Sequence, residues 1–386
     1  MFANAFQNRN VLITGHTGFK GSWLTQWLVK LGARVNGYAL DPKPHERLYS
    51  SLGLSDQLES DTRDDVRNAD SLRQTVERIQ PDFIFHLAAQ PLVRLSFDIP
   101  ATTFETNVMG TVNLLEAIRK VQCPCVCVIV TTDKCYENRE WLHSYREDDA
   151  MGGYDPYSAS KGCAELVTAA YRRSFFHQNQ EQRIASARAG NVIGGGDWAL
   201  DRIVPDIFRA VFANQPVPVR NMSATRPWQH VLEPLSGYLW LAACIHDSEQ
   251  TAFSAHDLCS GFNFGPQLSS NRTVSQVVSE VLKHVSGTWI DQSDPNAPHE
   301  ASKLNLAIDK AFHMLAWKPT WDFEDTIRKT VEWYRGEHQS AGACDLTLKQ
   351  ISEYETAAQA SNLQWALTRK ATTESIAHLV SNHPHV

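Results

Sequence analysis

Tyr157 and Lys161 stand four residues apart in Tyr157-Ser158-Ala159-Ser160-Lys161, a spacing that places both side chains on one face of a helix. A phenol beside an ammonium can take a proton from a hydroxyl near neutral pH, because the positive charge favours the phenolate. Surface pairs share this spacing, so the motif gains meaning from its neighbours. Thr132-Asp133-Lys134 places a carboxyl and an amine at adjacent positions after an apolar run. One could protonate a leaving hydroxyl while the other takes a proton from carbon, if burial tunes Asp133 upward and Lys134 downward. An ion pair at a strand end is the plain alternative. Thr14-Gly15-His16-Thr17-Gly18-Phe19-Lys20-Gly21 also follows an apolar run and opens a helical pattern. Its glycines permit a sharp turn and close backbone approach to a pyrophosphate, with free N–H groups at the helix start. The spacing is Gly-x-x-Gly-x-x-Gly, and a tight turn alone would also use it.

A dinucleotide in such a turn needs a ribose reader about 20 residues on. Asp41 stands there; its carboxylate would hold both hydroxyls and repel a 2′-phosphate, which favours NAD over NADP. Lys43 and Arg47 lie close by and weaken that preference. Asp65-Val66 either frames the adenine or forms a surface loop.

These groups need elements to hold them. Apolar runs at Asn10–Thr14, Val35–Leu40, Phe83–Leu87, Val126–Thr131 and Arg183–Arg188 read as strands, with a weaker one at Gln57–Ser60. Helical patterns at Lys20–Leu31, Ser71–Ile79, Thr103–Lys120 and Asp155–Phe176 separate them. Such alternation predicts an α/β fold, a doubly wound parallel (Rossmann) sheet with helices on both faces and its site at the strands' carboxyl ends. Residues 1–190 are expected to form the dinucleotide-binding domain and 191–356 a smaller substrate-binding lobe that returns to the sheet. That lobe carries helices at Thr273–Val285 and Ala301–Leu315, and Gly194-Gly195-Gly196 as a flexible loop. Residues 357–386 read as a frayed tail. Trp317 and Trp333 read as core.

The 386 residues carry a net charge of −7 and no run apolar enough to span a membrane. This speaks against nucleic acid and anionic membrane as partners. Met1 to Asn10 lacks an apolar signal core, so a cytoplasmic location is expected. The eight cysteines form no Cys-x-x-Cys pair. Cys123, Cys125 and Cys127 alternate along one strand face, so reduced, mostly buried thiols are expected, with no metal.

Taken together, the motifs resemble those of the extended short-chain dehydrogenase/reductases that act on nucleotide sugars. His86-Leu87-Ala88-Ala89-Gln90 and Glu105-Thr106-Asn107-Val108-Met109-Gly110-Thr111 carry the likeness. Gly15-His16-Thr17-Gly18-Phe19-Lys20-Gly21-Ser22-Trp23 and Thr131-Thr132-Asp133-Lys134-Cys135-Tyr136-Glu137-Asn138 narrow it to 4,6-dehydratases of the CDP-sugar branch. In the dTDP-sugar branch, Asp-Glu stands where this chain has Asp133-Lys134. The likeness implies NAD held by Gly15, Thr17, Gly18, Phe19, Lys20, Asp41, Asp65, Val66, Leu87, Ala88, Ala89, Asn107, Tyr157 and Lys161. It implies catalysis by Thr132, Asp133, Lys134, Tyr157 and Lys161, and a small-molecule nucleotide-sugar substrate met by Gln90, Asn191 and His299. Arg202, Arg220 and Arg226 are candidates for its diphosphate, since a guanidinium matches phosphate oxygens bidentately. Relatives pair through the two long helices, which implies a homodimer or a dimer of dimers. An epimerase, a dTDP- or GDP-sugar dehydratase and a non-catalytic NAD-sensing protein are the competing readings.

Overall fold

A computed structural model describes residues 1–177, 181–293 and 303–367. Strands β1 (Asn10–Thr14), β2 (Arg34–Ala39), β3 (Ser60–Arg63), β4 (Phe83–His86), β5 (Cys125–Val130) and β6 (Gln182–Ala189) lie in the order 3-2-1-4-5-6. The strand Gly261–Phe264 adds a seventh beyond β6, and every pairing is parallel. This is the expected doubly wound sheet, whose order reverses between β1 and β4 and opens a crevice at their carboxyl ends.

The inner strands are apolar on both faces because helices cover both. Val11 and Ile13 of β1 enter one core layer and Leu12 the other. In β5, Val126, Val128 and Val130 point to the first layer, while Cys125, Cys127 and Ile129 join Cys123 in the second. Helix α1 (Phe19–Lys30) starts from Gly18 directly above β1. The helix expected at Thr103–Lys120 begins earlier, with Pro100 at its first turn, and runs through a π-turn at Glu105–Met109 into Gly110–Val121. The helix Pro156–Tyr171 continues as a π-turn at Arg172–Phe176.

Four expectations need correction. The third strand lies at Ser60–Arg63, because Leu54–Gln57 winds into a 3₁₀ turn; an edge strand reading Ser-Asp-Thr-Arg carries almost no hydrophobic signal. The helix expected at Ala301–Leu315 is confined to Asp309–Leu315. Before it, Leu306 bridges Tyr145 in extended form, and residues 301 and 302 lie outside the described residues. The Gly194-Gly195-Gly196 segment is buried, not a loose loop. A Cβ on Gly195 would stand 2.0 Å from the Trp333 ring, so the glycines serve close packing.

The fourth correction concerns the tail. The helix Ala343–Ala360 is followed by buried Leu363, Trp365 and Ala366. The Trp365 ring stacks on Phe2 at 4.9 Å and on Tyr354 at 5.6 Å. Four residues are too few for periodicity to reveal this. The remainder of the tail, 368–386, lies outside the described residues. Replacing Trp365 by Ala is expected to lower unfolding free energy by about 3–5 kcal/mol. Denaturant titration checks this, and an unchanged midpoint would mean that the ring is not part of the core.

Candidate active site

The glycine turn crosses the crevice between β1 and β4, and its three glycines do different work. Gly15 has φ +77° and lies so near the next strand that a Cβ would meet Ala88 N at 2.6 Å. Gly21 lets α1 approach the turn, since a Cβ there would stand 2.1 Å from Gly15 O. At Gly18, the N-cap of α1, the nearest atom would be Gly15 O at 3.5 Å, an ordinary contact that leaves room for a side chain. That cradle fits a dinucleotide pyrophosphate. Thr17 Oγ1 donates to Leu40 O at 3.1 Å, which ties the turn to the end of β2. Below it, Thr14 Oγ1 lies 2.7 Å from His86 Nδ1 and accepts from Ala88 N at 3.3 Å. Burial first, then the Lys161 charge, depresses His86 to about 3.

Asp41 sits where a ribose reader belongs, its side chain 86% exposed and only 3.8 Å from Arg63. Asp65 is occupied: its carboxylate takes Arg67 Nε at 3.0 Å and Nη2 at 2.8 Å, and this pairing holds it below the usual carboxylate range. Val66 is buried under Gly110, whose Cβ it would touch at 2.7 Å. Leu87, Ala88 and Ala89 follow β4 along the floor. Asn107, buried within the π-turn, accepts from Gln90 N at 2.8 Å and donates to Gln90 O at 3.2 Å and Ser160 Oγ at 2.8 Å. One amide thereby joins the loop after β4 to the helix bearing Tyr157. The Gln90 amide bonds Leu92 and Thr103 within its own loop.

Asp155 caps the helix Pro156–Tyr171 by accepting from Ser158 N at 2.9 Å, and Pro156 sets the first turn. Tyr157 and Lys161 follow on one buried face. Lys161 Nζ donates to Val130 O at 3.3 Å. Burial lowers it to about 8, with the Glu165 charge opposing. At the end of β5, Thr132 caps the short turn Asp133–Cys135. Asp133 is fully buried; its Oδ1 accepts from Thr132 Oγ1 at 2.9 Å and Lys134 Nζ at 3.3 Å. Asp133 Oδ2 has no hydrogen-bond partner among the described residues. Gly190 makes room for it, because a Cβ there would stand 3.0 Å from that oxygen. The phenol of Tyr157 is pushed up to about 12, first by burial, with hydrogen bonding to Thr132 opposing it. Lys20 also reaches this cleft, 3.5 Å from Tyr238 Oη. Burial, then the Arg202 charge, lowers its amine to about 7.

Arg202 heads the helix Ile203–Phe212 and pairs with Asp197 at 2.8 Å. The Tyr157 phenol is close enough to hold its pKa up, behind the larger effect of Asp197. Arg226 is buried on a short strand and donates to Thr225 O at 3.0 Å. Arg220 lies farther out, bound to Asp206 at 2.6 Å and to Asp201. Asn191 Oδ1 is buried without a partner among the described residues. His299 lies outside the described residues.

Residues 12–330 match the family model described as GDP-mannose 4,6 dehydratase. The chain belongs to that family. Within its reach, CDP-glucose 4,6-dehydratase of Salmonella typhimurium (strain LT2) is 46% identical over 360 residues, covering 92% of this chain and 98% of the relative. The dTDP-glucose 4,6-dehydratase of the same organism is 27% identical, covering 85% of this chain and 93% of the relative. Among solved structures, DesIV, a dTDP-glucose 4,6-dehydratase from Streptomyces venezuelae with NAD and TYD bound, superposes with a TM-score of 0.72. It is 21% identical and covers 86% of this chain and 98% of its own, so it shows the shared fold.

For this dehydratase-family chain, sequence reasoning passed over Gly190, Tyr238 and the buried pair Glu165–Arg188 at 2.9 Å. A signal existed for the last: an arginine in the apolar run of β6 demands a buried partner, and Glu165 is one helical turn beyond Lys161. His16, His86 and His230 are all buried and neutral, with pKa values lowered to about 4, 3 and 3, each mainly by burial. Unfolding lets each bind a proton once pH falls below about 6.5, so the unfolded state gains protons that the folded state refuses. Stability is therefore expected to fall as pH drops from about 6.5 toward 4, by about 1.4 kcal/mol per unit for each histidine. Denaturant titrations at several pH values check the slope, and a flat profile would mean that the three rings protonate inside the fold.

Proposed function

We propose that the chain is an NAD-dependent CDP-glucose 4,6-dehydratase, converting CDP-glucose to its 4-keto-6-deoxy derivative and water. The observation that carries the reading is the buried Asp133 beside Lys134, in one cleft with Tyr157 and Lys161. Oxidation and re-reduction at carbon 4 alone would need no such acid–base pair. The 46% identity to a CDP-glucose 4,6-dehydratase supports the sugar nucleotide. Residues 1–190 serve the dinucleotide and 191–356 mainly the substrate.

Gly15, Thr17, Gly18, Phe19 and Lys20 cradle the dinucleotide along Leu87, Ala88 and Ala89, and Asp41 takes its ribose. NAD held there would supply hydride chemistry, taking the hydride of carbon 4 and giving it back at carbon 6. Tyr157 removes the proton of the carbon 4 hydroxyl, helped by Thr132, by Lys161 and by the positive charge that a nicotinamide held beside it would add. The new ketone acidifies the proton on carbon 5, which Lys134 accepts. Asp133 protonates the carbon 6 hydroxyl, which leaves as water, and its unpartnered Oδ2 is the oxygen free to hold that proton. Lys134 gives its proton back to carbon 5 as the hydride reaches carbon 6, and the proton held by Tyr157 makes good the one that Asp133 gave up, so protein and dinucleotide end as they began. Asn191, Arg202 and Arg226 face the sugar nucleotide; Arg220, spent on Asp201 and Asp206, serves at the rim.

Among the described residues no helix is long and apolar enough to cross a membrane; a cytoplasmic place suits the substrate. Phe104, Met109, Leu166 and Phe175 are exposed on the two long helices. Such apolar residues favour pairing of two copies through those helices. Leu166→Glu is expected to convert a dimer to a monomer in sedimentation; an unchanged assembly would place the interface elsewhere. Among nucleotide-glucose substrates, CDP-glucose is expected to give the 4-keto product, detected by its ultraviolet absorption in alkali. Tyr157→Phe should lower oxidation by about 100-fold or more. Lys134→Ala should still reduce bound NAD yet release little product. Unchanged turnover in Lys134→Ala, or an epimer in place of the ketone, would overturn the dehydratase reading.

A further inference from the structure

Thr131 and Tyr136 flank the turn that carries Asp133 and Lys134, and both lead to one buried ion pair. Thr131 Oγ1 donates to Glu165 Oε1. The other oxygen, Oε2, accepts from Ser186 Oγ at 2.7 Å and from Arg188 Nη2 at 2.9 Å. Arg188 Nη1 donates to Tyr136 Oη at 2.6 Å, and Tyr136 Oη donates to Asn263 Oδ1 at 2.7 Å. Thr131, Tyr136, Glu165, Arg188 and Asn263 are all buried. The chain of bonds therefore closes around the turn, from the residue before Thr132 to the residue after Cys135. It draws on β6, the strand Gly261–Phe264 and the helix Pro156–Tyr171.

Resting on the dehydratase reading, we infer that Tyr136 is a positioning residue for the elimination step. Its hydroxyl fixes the far side of the turn, so that Asp133 and Lys134 keep their places relative to the sugar. The groups assigned to oxidation are held by other contacts: Tyr157 N donates to Ser96 Oγ at 3.2 Å, and Lys161 Nζ to Val130 O at 3.3 Å. The Tyr136 hydroxyl bonds neither. Loosening it should therefore separate two steps that share one cleft, because a misplacement of about 1 Å can slow a step by about 100-fold.

Tyr136→Phe keeps the ring and removes the hydroxyl. In single turnovers with NAD and CDP-glucose, the reduced nicotinamide should form at the wild-type rate and then persist. Release of 4-keto product should fall by about tenfold to 100-fold, with substrate affinity unchanged. Asn263→Ser, which withdraws the hydroxyl's acceptor, should show the same split more weakly, and thermal unfolding of both variants is measured alongside. Equal slowing of both steps, or no slowing, in the folded variants overturns the positioning role. A wild-type protein that forms no 4-keto product overturns the dehydratase reading itself, which the same assay reports separately.

Discussion

Cations gathered around one desolvated carboxyl set the character of this cleft. Asp133 is fully buried, and Lys20 feels its charge together with those of Lys134, Lys161 and Arg202. Removal from water is the main reason both Lys20 and Lys161 hold their protons less firmly than an ordinary lysine, and at Lys20 the Arg202 charge adds to it. A site with surplus positive charge invites an anionic guest, and a diphosphate supplies the missing charge. The sheet makes the gathering possible: the ends of β1, β4, β5 and β6 deliver the glycine turn, His86, the Thr132 turn and Gly190 to one edge. No single segment of the chain could assemble them.

The price of that burial falls on the surrounding network. Glu165 and Arg188 form an internal pair whose desolvation a weaker set of partners would not offset. Here both carboxylate oxygens are engaged, by Thr131, Ser186 and the guanidinium. Asn107 plays the corresponding part on the other side, joining the loop after β4 to the helix of Tyr157 through Gln90 and Ser160. It does so from a π-turn, a distortion of the helix that recurs at functional positions. The reacting groups are thus held by polar contacts in a site whose floor is apolar.

Much of this was legible in the residues alone. Parallel strands buried on both faces announce themselves as apolar runs, and the glycine turn and Tyr157–Lys161 spacing were read from type and interval. The third strand was read three residues early, at Gln57–Ser60 in place of Ser60–Arg63, because its polar residues look like loop. The glycines at 194–196 were misread because looseness and tight packing use the same residue; the side chains of Val231, Trp333 and Leu48 packed against them distinguish the two. Asp65 was read as framing the adenine or lying in a surface loop, and neither reading shows that Arg67, two residues on, engages its carboxylate. Spacing puts Tyr157 and Lys161 on one helix face, but the burial of both, which spacing does not show, comes from the fold. Tyr238 lies far from any motif and enters the cleft only through the fold, while Gly190 stands beside Asn191 and its part in making room for Asp133 shows only in the packing.

The stacking of Trp365 on Phe2, with Trp27 edge-on to both, joins the opening turn to a residue near the far end of the sequence. During synthesis from the N-terminus, β1 to β5 could pair while the aromatic slot beside Phe2 stayed open to water. That slot closes only when residue 365 has left the ribosome, so this layer of the core waits for a segment made long after the sheet's first strands. Until then Phe2 and Trp27 lack the ring that covers them, and the apolar face they form stays open to water.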